Sequence, residues 1–343
     1  MKFSTKSWSK IAHMGITIAV AIAASSAAIA GSTEKQNLPE VKYESGVLPK
    51  VWFSGGPGCA TFTDDFQVNK YNDNFYILRQ SGCTHTEKPF LYILFGKNKA
   101  ILFDTGAGNN TDPTTGRVPN VVAAVDKVIN EWLAKNNRSS IPLVVTHLHS
   151  HWDHTWGDFQ FEKRPNTTFV KSGDVGTLQS FFGIKNWPQD TATFDLGGRI
   201  LDIIPIPGHD ATSIAVYDRA TAVLLSGDTV YPGRIYINEP DPDLFQASIQ
   251  RLVDFTSTRL VVHVLGTHIE QRAPYLDYAI GEHYTPEEIP LELGRAELLE
   301  LLEASKLRTE VGGKKQVTQK AYRDFTICDV YPKCTPVNSA PRK

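Results

Sequence analysis

A short apolar run that ends in a crowd of histidines constrains this chain more than any other segment. Residues 142–157 read Pro-Leu-Val-Val-Thr-His-Leu-His-Ser-His-Trp-Asp-His-Thr-Trp-Gly, and four of the ten histidines fall between His147 and His154. The run Leu143–Val145 is typical of a buried strand. Imidazoles and a carboxylate crowded past such a strand would repel one another if protonated and would lose solvation if neutral and unpaired. A metal cation removes both problems, so the segment predicts a metal site.

Other apolar runs along the chain also end in a polar residue beside glycine. The residues at these ends are Asp104, His209, Asp228 and His268. Active-site ligands commonly lie on loops at the ends of strands, where a rigid scaffold holds them. We therefore expect these four residues to join the cluster at 147–154.

Strand and helix patterns alternate along the chain and predict one compact α/β domain. The predicted strands include Phe75–Arg79, Leu91–Phe95, Ala100–Phe103, 142–146, Leu260–Leu265 and a hairpin of Ser213–Asp218 with Thr221–Leu225. The predicted helices are 119–135, Val175–Phe182, 241–256 and Leu291–Ser305. The predicted organisation is a signal peptide at 1–30, a lead-in at 31–69, and a single domain at 70–343 that ends in a helical extension.

The first thirty residues have the layout of an export signal. Three lysines precede an apolar run from Met14 to Ala24, and Ala28-Ile29-Ala30 supplies a small-x-small ending. This order is typical of a secretory signal, and the apolar core is shorter than a bilayer span requires. We expect cleavage after Ala30, with Ala28 as the alternative, a secreted protein of the bacterial periplasm, and no membrane anchor after cleavage.

The charge of the mature chain argues against nucleic acid as a partner. Without the three signal lysines, 32 basic and 37 acidic residues remain, a net charge of −5. A nucleic-acid-binding domain usually carries an excess of basic residues. A small-molecule substrate is the expected partner.

Four cysteines follow the signal, and an even number in an exported protein indicates disulfide bonds. Three pairings are possible. The pairing of Cys59 with Cys83 and of Cys328 with Cys334 is the simplest, because each bond closes a local loop. A zinc knuckle is the competing interpretation, but the pairs lack the spacing of two to four residues that such sites use.

The motif His149-Ser150-His151-Trp152-Asp153-His154 matches the His-x-His-x-Asp-His signature of the metallo-β-lactamase superfamily, and the chain resembles that family throughout roughly residues 70–270. Pro-Gly-His at His209, Ser-Gly-Asp at Asp228 and Gly-Thr-His at His268 are similar to its later motifs. Phe-Asp-Thr-Gly at Asp104 is similar to an early one. The resemblance implies the four-layer αβ/βα sandwich of this family, an α/β fold.

The resemblance also implies two metal ions. One ion would be held by His149, His151 and His209, the other by Asp153, His154 and His268, with Asp228 bridging the two. Nitrogen and oxygen ligands without thiolate suit zinc, although iron or manganese can occupy such a site. His151 stands where the di-iron electron-transfer relatives carry glutamate, which favours two zinc ions.

Such a pair of ions, roughly 3.5–4 Å apart, lowers the pKa of a bridging water and polarises a carbonyl or phosphoryl oxygen. The resemblance therefore implies a metal-dependent hydrolase that uses a metal-bridging hydroxide. Asp153 would orient that hydroxide or move a proton.

Asp228 separates the chain from the β-lactamases of the family, which lack aspartate at the bridging position. The chain is closer to the lactonases and the glyoxalase II-like thioesterases, although the glutathione substrate of the latter is mainly cytoplasmic. Hydrolysis of a lactone or carboxylic ester is our main expectation. Cleavage of a β-lactam, thioester, phosphodiester or sulfate ester is an alternative on the same site. A protein of another class, an iron-dependent oxygenase or a metal-binding protein without turnover, is a further alternative, although the complete ligand set with an open site weighs against a protein without turnover.

Three further residues have two interpretations each. Tyr231, three residues after Asp228, resembles a lactonase tyrosine that assists the substrate carbonyl, or it simply packs. Asp104 orients a ligand histidine, or caps a turn. His147 shares the strand face of His149 and supports the site, or is an ordinary hydrogen-bonded histidine. Segments 54–60, 106–118, 231–240 and 272–290 are expected to line the pocket.

Overall fold

A computed structural model describes residues 42–108, 117–237, 242–311, 314–328 and 334. The predicted signal peptide at 1–30 lies outside the described residues, as does the lead-in as far as Val41. From Lys42 onward the chain belongs to one compact unit.

Nineteen strands and five helices make up the described part of the chain. The strands are β1 (Phe66–Asn72), β2 (Phe75–Gln80), β3 (Phe90–Phe95), β4 (Ala100–Phe103), β5 (Leu143–Thr146), β6 (Thr167–Phe169), β7 (Ala192–Asp195), β8 (Ile200–Pro205), β9 (Ile214–Asp218), β10 (Val223–Gly227), β11 (Arg234–Tyr236), β12 (His263–Gly266), β13 (Gln271–Ala273), β14 (Leu276–Asp277), β15 (Glu292–Leu293), β16 (Arg308–Val311), β17 (Lys314–Val317), β18 (Lys320–Ala321) and β19 (Thr326–Cys328). The helices are α1 (Val121–Lys135), α2 (Trp152–Thr155), α3 (Val175–Phe182), α4 (Pro242–Thr256) and α5 (Arg295–Lys306), and a 3-10 turn covers Trp156–Gln160.

Two six-stranded mixed sheets form the centre of the fold. The first has the order β1-β2-β3-β4-β5-β6, and the second has the order β15-β12-β10-β9-β8-β7. In the first sheet β4 and β5 run parallel. In the second, β8 and β10 are both antiparallel to β9, and β12 is parallel to β10. The carboxyl ends of β8, β10 and β12 therefore share one edge of their sheet.

Successive side chains of each strand point to opposite faces of its sheet, and this alternation explains the four layers. In β2, Phe75 and Ile77 face the core between the sheets, whereas Tyr76 and Leu78 face α1. In the second sheet, Leu201, Ile203, Ile214 and Val216 face the inner core, whereas Ile204, Ala215 and Tyr217 face α4 and α5. Because both faces of each sheet are buried, each sheet requires a helical layer on its outer side. This confirms the predicted αβ/βα sandwich.

Helix α1 covers the outer face of the first sheet with one apolar stripe. Its buried residues, spaced three or four apart, are Val121, Val125, Val128, Ile129 and Trp132. The Asn120 side chain caps its start by accepting the Ala123 N–H at 3.1 Å. The indole of Trp132 stacks on Phe95 with ring centroids 4.8 Å apart and donates to Asn74 Oδ1 at 3.1 Å.

Several predicted elements agree closely with the structure, and others shift. Helix α3 has the predicted bounds, and the hairpin of β9 and β10 forms as predicted. The predicted strand Leu260–Leu265 begins later, at His263, because Leu260 and Val262 are exposed. Strand β1 begins at Phe66, inside the predicted lead-in 31–69, since Phe66 already pairs with Gln80. Helix α5 packs on α4 as part of the outer layer, and strands β16–β19 follow it.

Both predicted disulfide bonds form, Cys59 with Cys83 and Cys328 with Cys334. The first joins the loop at 54–62 to the segment after β2. Among the described residues no helix has the length and apolar character needed to cross a bilayer.

The packing of Trp132 predicts a large loss of stability for Trp132→Ala. Removing a buried tryptophan leaves a cavity and typically costs about 3–5 kcal/mol, and the Asn74 amide also loses its partner. Urea denaturation would measure the change in the free energy of unfolding. The exposed neighbour provides the control, since Glu131→Ala should stay within about 0.5 kcal/mol. A loss below about 1 kcal/mol for Trp132→Ala would contradict this account of the α1 interface.

Candidate metal centre

Ends of strands from both sheets bring the seven predicted ligand residues together. His149, His151 and His209 offer ligand atoms within 4.8 Å of one another. Asp153, His154, Asp228 and His268 form a second such group. The loop after β5 and the short helix α2 carry the first members of each group, and β8, β10 and β12 deliver the others. Parallel strand directions explain this convergence, because their carboxyl ends lie at one edge.

Two glycines let the segments that carry His209 and His268 lie close against neighbouring backbone. Gly208 adopts φ +138°, and a Cβ there would lie 2.6 Å from the Cα of Phe245 in α4. A Cβ on Gly266 would lie 2.5 Å from the carbonyl oxygen of Val230. Any side chain at these positions would push His209 or His268 away from the cluster.

The first group consists of imidazoles with nitrogens directed at one another. His209 Nε2 lies 2.9 Å from His151 Nδ1, while His209 Nδ1 donates to the Tyr236 carbonyl at 2.8 Å. Neither ring nitrogen of His149 has a hydrogen-bond partner within the described chain, although the side chain is 1% exposed. A buried polar group without a partner calls for an explanation, and a bound cation would supply one.

In the second group, carboxylates alternate with imidazoles. Asp153 Oδ2 lies 3.2 Å from His154 Nε2 and 3.3 Å from His268 Nε2. Asp228 Oδ1 lies 3.4 Å from His268 Nε2. Ligand atoms that surround one ion tetrahedrally at about 2.1 Å are about 3.4 Å apart. The spacing therefore fits one metal ion.

Asp228 belongs to both groups. Its Oδ2 lies 3.4 Å from His154 Nε2, 3.6 Å from His209 Nε2 and 3.7 Å from His149 Nε2. One carboxylate oxygen thus faces ligand atoms of both groups at metal-ligand spacing. The donor set of five imidazoles and two carboxylates suits zinc, iron or manganese. These residues fit a pair of ions that share one carboxylate.

Residues outside the cluster hold the imidazoles in orientation. Asp104 Oδ2 lies 3.0 Å from His154 Nδ1, and its Oδ1 accepts the Leu148 N–H at 2.9 Å. Asp104 therefore orients a histidine, the first of its two interpretations, while its other oxygen holds the loop after β5 and does not cap a local turn. It adopts φ +70°, a conformation in which aspartate is enriched. The Glu87 carbonyl accepts from His268 Nδ1 at 2.9 Å. Such contacts fix the tautomer that leaves Nε2 available to a metal.

Asp210 joins the loops that carry the first group. Its carboxylate accepts from Ser150 Oγ at 3.1 Å and from the Thr212 N–H at 2.8 Å, and it lies 3.8 Å from His151 Nε2. The residue follows the ligand His209, so one side chain couples the loops after β5 and β8. Asp210 was not among the residues predicted from the sequence to form the site.

His147 lies apart from the cluster. Its Nε2 is 2.8 Å from Asp158 Oδ1, and its ring packs against Phe169. The side chain is fully buried. His147 is thus a hydrogen-bonded histidine beneath the loop, and its contacts stabilise the loop.

Burial and the repulsion between imidazoles keep His149 and His209 neutral in the metal-free protein. Burial lowers the pKa of His149 well below its ordinary value, and the neighbouring His154 lowers it further. Burial likewise lowers the pKa of His209. Neutral imidazoles have a free lone pair, so these two residues need lose no proton before they bind a metal.

The second group carries charges of both signs. Burial opposes protonation of His268 and His154, but Asp228 and Asp153 outweigh it and raise both pKa values well above the ordinary range. Burial also opposes ionisation of Asp228, yet the surrounding imidazoles, His268 first, hold the pKa of Asp228 well below its usual value. The metal-free protein therefore holds imidazolium–carboxylate pairs where an ion would bind.

A cavity of about 310 Å³ opens onto the cluster. Residues from segments 231–240 and 272–290 line it as predicted, whereas the described residues of 54–60 and 106–118 do not. Another part of the cavity wall, formed by Thr86, Glu87 and Lys88, was not predicted from the sequence. Burial and the nearby Asp153 raise the pKa of Glu87 to about 7. Three polar residues before a strand carry no motif, so only the folded position reveals them.

Tyr231 lies in the cavity wall, with its ring centroid 5.6 Å from that of His268. Its hydroxyl donates to the Arg234 carbonyl, and Glu270 Oε2 lies 3.3 Å from the same oxygen. Burial and Glu270 raise the pKa of Tyr231 well above its ordinary value, so the hydroxyl keeps its proton. That proton is engaged within the protein, and donation to a substrate would require the O–H to rotate.

Comparison with known proteins places the chain among metal-dependent hydrolases. Residues 89–262, just over half of the chain, match the profile described as the metallo-beta-lactamase superfamily. The matched range includes all of the clustered residues except His268. The solved metallo-beta-lactamase from Pontibacter korlensis is 19% identical, with a TM-score of 0.45, over 70% of this chain and 99% of that one.

Two kinds of curated relative are similar to the chain. An acyl-coenzyme A thioesterase of Bos taurus, MBLAC2, is 23% identical in an alignment of 207 positions that covers 52% of this chain and 72% of the relative. The hydroxyacylglutathione hydrolase 1 of Vibrio vulnificus is 28% identical over 173 residues, which are 49% of this chain and 59% of the relative.

The contact between Asp104 and His154 predicts weaker metal binding in Asp104→Asn. Asparagine tolerates positive φ, but its single carbonyl oxygen cannot serve both the Leu148 N–H and His154. Loss of such an orienting contact typically costs about 10–100-fold in metal affinity. Competition with a chelator would measure the zinc affinity, and Asp254→Asn on the exposed side of α4 is the control. Equal affinities in the two variants would show that Asp104 does not orient His154.

The charged second group predicts that zinc binding releases protons at pH 7. His154 and His268 hold protons in the metal-free protein and must lose them to coordinate, so these imidazoles should release about two protons. A bound water that ionises between the ions would add about one more. Because the zinc-bound form holds fewer protons, the apparent zinc affinity should rise with pH. Calorimetric titration in two buffers of different ionisation enthalpy counts the released protons. Release of one proton or none at pH 7 would refute the assignment of protons to both His154 and His268.

Proposed function

Because the chain belongs to the metallo-beta-lactamase superfamily, we propose that it is a binuclear zinc enzyme that hydrolyses an acyl compound, in the first place a carboxylic ester or lactone. The chain is a metal-dependent hydrolase, and the proposal concerns the number and kind of its ions, its substrate and its location.

The position of Asp228 carries the proposal. One carboxylate oxygen faces nitrogens of both groups at 3.4–3.7 Å. A site for a single ion would not need a second group of imidazoles beyond that carboxylate. Zinc bound in pairs lowers the pKa of water and polarises a carbonyl oxygen, and this is the chemistry that ester hydrolysis requires at neutral pH.

The residues of the chain supply position and proton transfer. Asp153 lines the cavity, and its carboxylate lies between the Nε2 atoms of His154 and His268. From there it can accept a proton from the attacking water and deliver it to the leaving alcohol. Asp104 and the Glu87 carbonyl hold the imidazoles of His154 and His268 so that their Nε2 atoms stay next to this carboxylate. A cavity of about 310 Å³ accommodates a small acyl compound.

Tyr231 retains its proposed role beside the substrate carbonyl. Its ring lies against His268 at the wall of the cavity, and its hydroxyl is neutral. Rotation of the O–H from the Arg234 carbonyl toward the cavity would turn it into a donor for a developing oxyanion.

Thioester hydrolysis is the second candidate. The names of the relatives favour it, since one relative is called an acyl-coenzyme A thioesterase and another a hydroxyacylglutathione hydrolase. Thioesters and oxygen esters present the same carbonyl to a nucleophile and differ in the leaving group. The choice between them therefore depends on the leaving-group side of the cavity.

We also propose that the protein is exported to the periplasm. The signal-like segment at 1–30 motivates this location, and two disulfide bonds suit an oxidising compartment. Cell fractionation with N-terminal sequencing would test it. Protein in the periplasmic fraction that has lost residues 1–30 is expected, and protein confined to the cytoplasm with Met1 intact would refute it.

A substrate panel with elemental analysis tests the function. Purified protein should contain two zinc ions per chain and turn over aryl esters or lactones, and a chelator should abolish that activity until zinc is restored. The panel also includes a thioester, a phosphodiester and a β-lactam. Asp153→Ala should lower kcat by roughly 100- to 10,000-fold on the preferred compound.

Asp195→Ala, in the exposed part of β7, is the matched control and should keep full activity. A single iron per chain would refute the binuclear hydrolase. Metal-dependent turnover of the thioester alone would select the second candidate.

A further inference from the structure

The wall segment Thr86–Lys88 places a lysine beside the metal-binding residues. The Glu87 carbonyl accepts from His268 Nδ1, and Lys88 is the next residue. Lys88 lines the cavity, is 5% exposed and adopts φ +49°. A non-glycine residue in this conformation is uncommon and often occurs at a functional site.

The ammonium of Lys88 is only partly satisfied. Its Nζ donates to the Thr86 carbonyl at 2.8 Å and to the Glu282 carbonyl at 2.6 Å. Both partners also line the cavity. A lysine ammonium has three donors, so one N–H lacks an acceptor among the described residues. No carboxylate of those residues forms an ion pair with it, and the Glu87 side chain makes none despite being adjacent.

Two of the three carboxylates whose charges act on Lys88 are committed elsewhere. Glu288 pairs with Arg79 at 2.7 Å and accepts from Thr285 Oγ1 at 2.6 Å. Glu270 accepts from Arg234 Nη2 at 2.5 Å and from the Arg234 N–H at 2.7 Å. Each of these acids therefore has an arginine of its own. Lys88 thus forms no ion pair among the described residues, although the charges of Glu288, Glu87 and Glu270 act on it from a distance.

Such a cation is costly unless a ligand compensates it. Burial lowers the pKa of Lys88 to about 8, with Glu288 acting in the opposite direction, so most of the amine is protonated at pH 7. An uncompensated buried charge is unfavourable, whereas a charge-assisted hydrogen bond to an anion is among the strong ones.

We propose that the substrate carries a carboxylate and that the Lys88 ammonium binds it while the scissile carbonyl lies at the metal-binding residues. The inference rests on the proposed acyl-hydrolase function and defines the class of substrate as acidic esters, lactones or thioesters. Lys88 would set specificity and would take no part in the cleavage itself.

A merely structural role makes a different prediction. The bond to the Glu282 carbonyl joins the wall segment to the loop after β14, so Lys88 could also serve only to shape the cavity. Loss of shape would weaken the turnover of every substrate. Loss of an anion site would weaken only the binding of acidic substrates.

The test uses a matched pair of substrates, an aryl hemisuccinate and its methyl ester, with zinc-loaded full-length protein. If the panel selects thioesters, the same pair is made as thioesters. Wild-type protein should have the lower KM for the acid. Lys88→Met should raise the KM for the acid by roughly 10- to 100-fold and leave the KM for the methyl ester within about twofold. Lys97→Met, at an exposed lysine in the turn after β3, should change neither.

Calorimetric binding of succinate to wild-type protein and to Lys88→Met provides a readout that needs no turnover. The variant should bind succinate at least about 10-fold more weakly. If no ester is cleaved but this difference is found, the proposed function fails and the anion site stands. Lys88→Gln, which keeps an N–H donor without the charge, repeats both measurements if the methionine variant does not fold.

Three results would overturn the proposal. One is a wild-type protein that binds the acid and its methyl ester equally well. Another is an equal loss for both substrates in the variants, which would assign Lys88 to shaping the cavity. The third is unchanged succinate binding in both uncharged variants.

Discussion

Compensation of charge around Asp228 is the constraint on which the centre of this structure depends. The buried carboxylate of Asp228 is surrounded by imidazoles from both groups. If apolar residues replaced these imidazoles, the carboxylate would be buried without a counter-charge. The arrangement requires either protonated histidines or bound cations. The metal-free protein already holds the candidate ligand atoms of each group within 4.8 Å of one another. The site is therefore preorganised for cations.

The sandwich makes this crowding possible at low cost to the rest of the fold. Apolar residues alternate on both faces of each sheet, so the strands are fixed by packing along their whole length. Only the loops beyond their carboxyl ends must be polar. Gly208 then lets its loop lie against α4, and Gly266 lets the end of β12 lie against Val230, at distances that a Cβ would forbid. The apolar residues of the strands thus make the scaffold below the site rigid, and the two glycines separately allow close packing at its edge.

Much of the fold and most of the cluster could be predicted from the sequence. The signature at His149–His154 could be predicted because it consists of adjacent residues. The strand ends at Asp228 and His268 could be predicted because apolar runs stop abruptly there. The cavity wall could not be predicted in the same way. Lys88 and Glu282 are far apart in the chain, and their contact follows from the long-range placement of two loops without periodicity. Asp210 was missed for a simpler reason, because aspartate beside a ligand histidine is also a common turn residue.

Ligand atoms drawn from both sheets make the centre a cross-link between the layers of the fold. Asp153 and His154 follow β5 of one sheet, whereas His209, Asp228 and His268 follow strands of the other. An ion held between them binds only when the two sheets have packed together, and each tenfold excess of free ion over its dissociation constant adds about 1.4 kcal/mol to stability. Metal supply therefore acts on this protein as a folding ligand. Scarcity of the ion would therefore lower the stability of the folded protein as well as the occupancy of its metal centre.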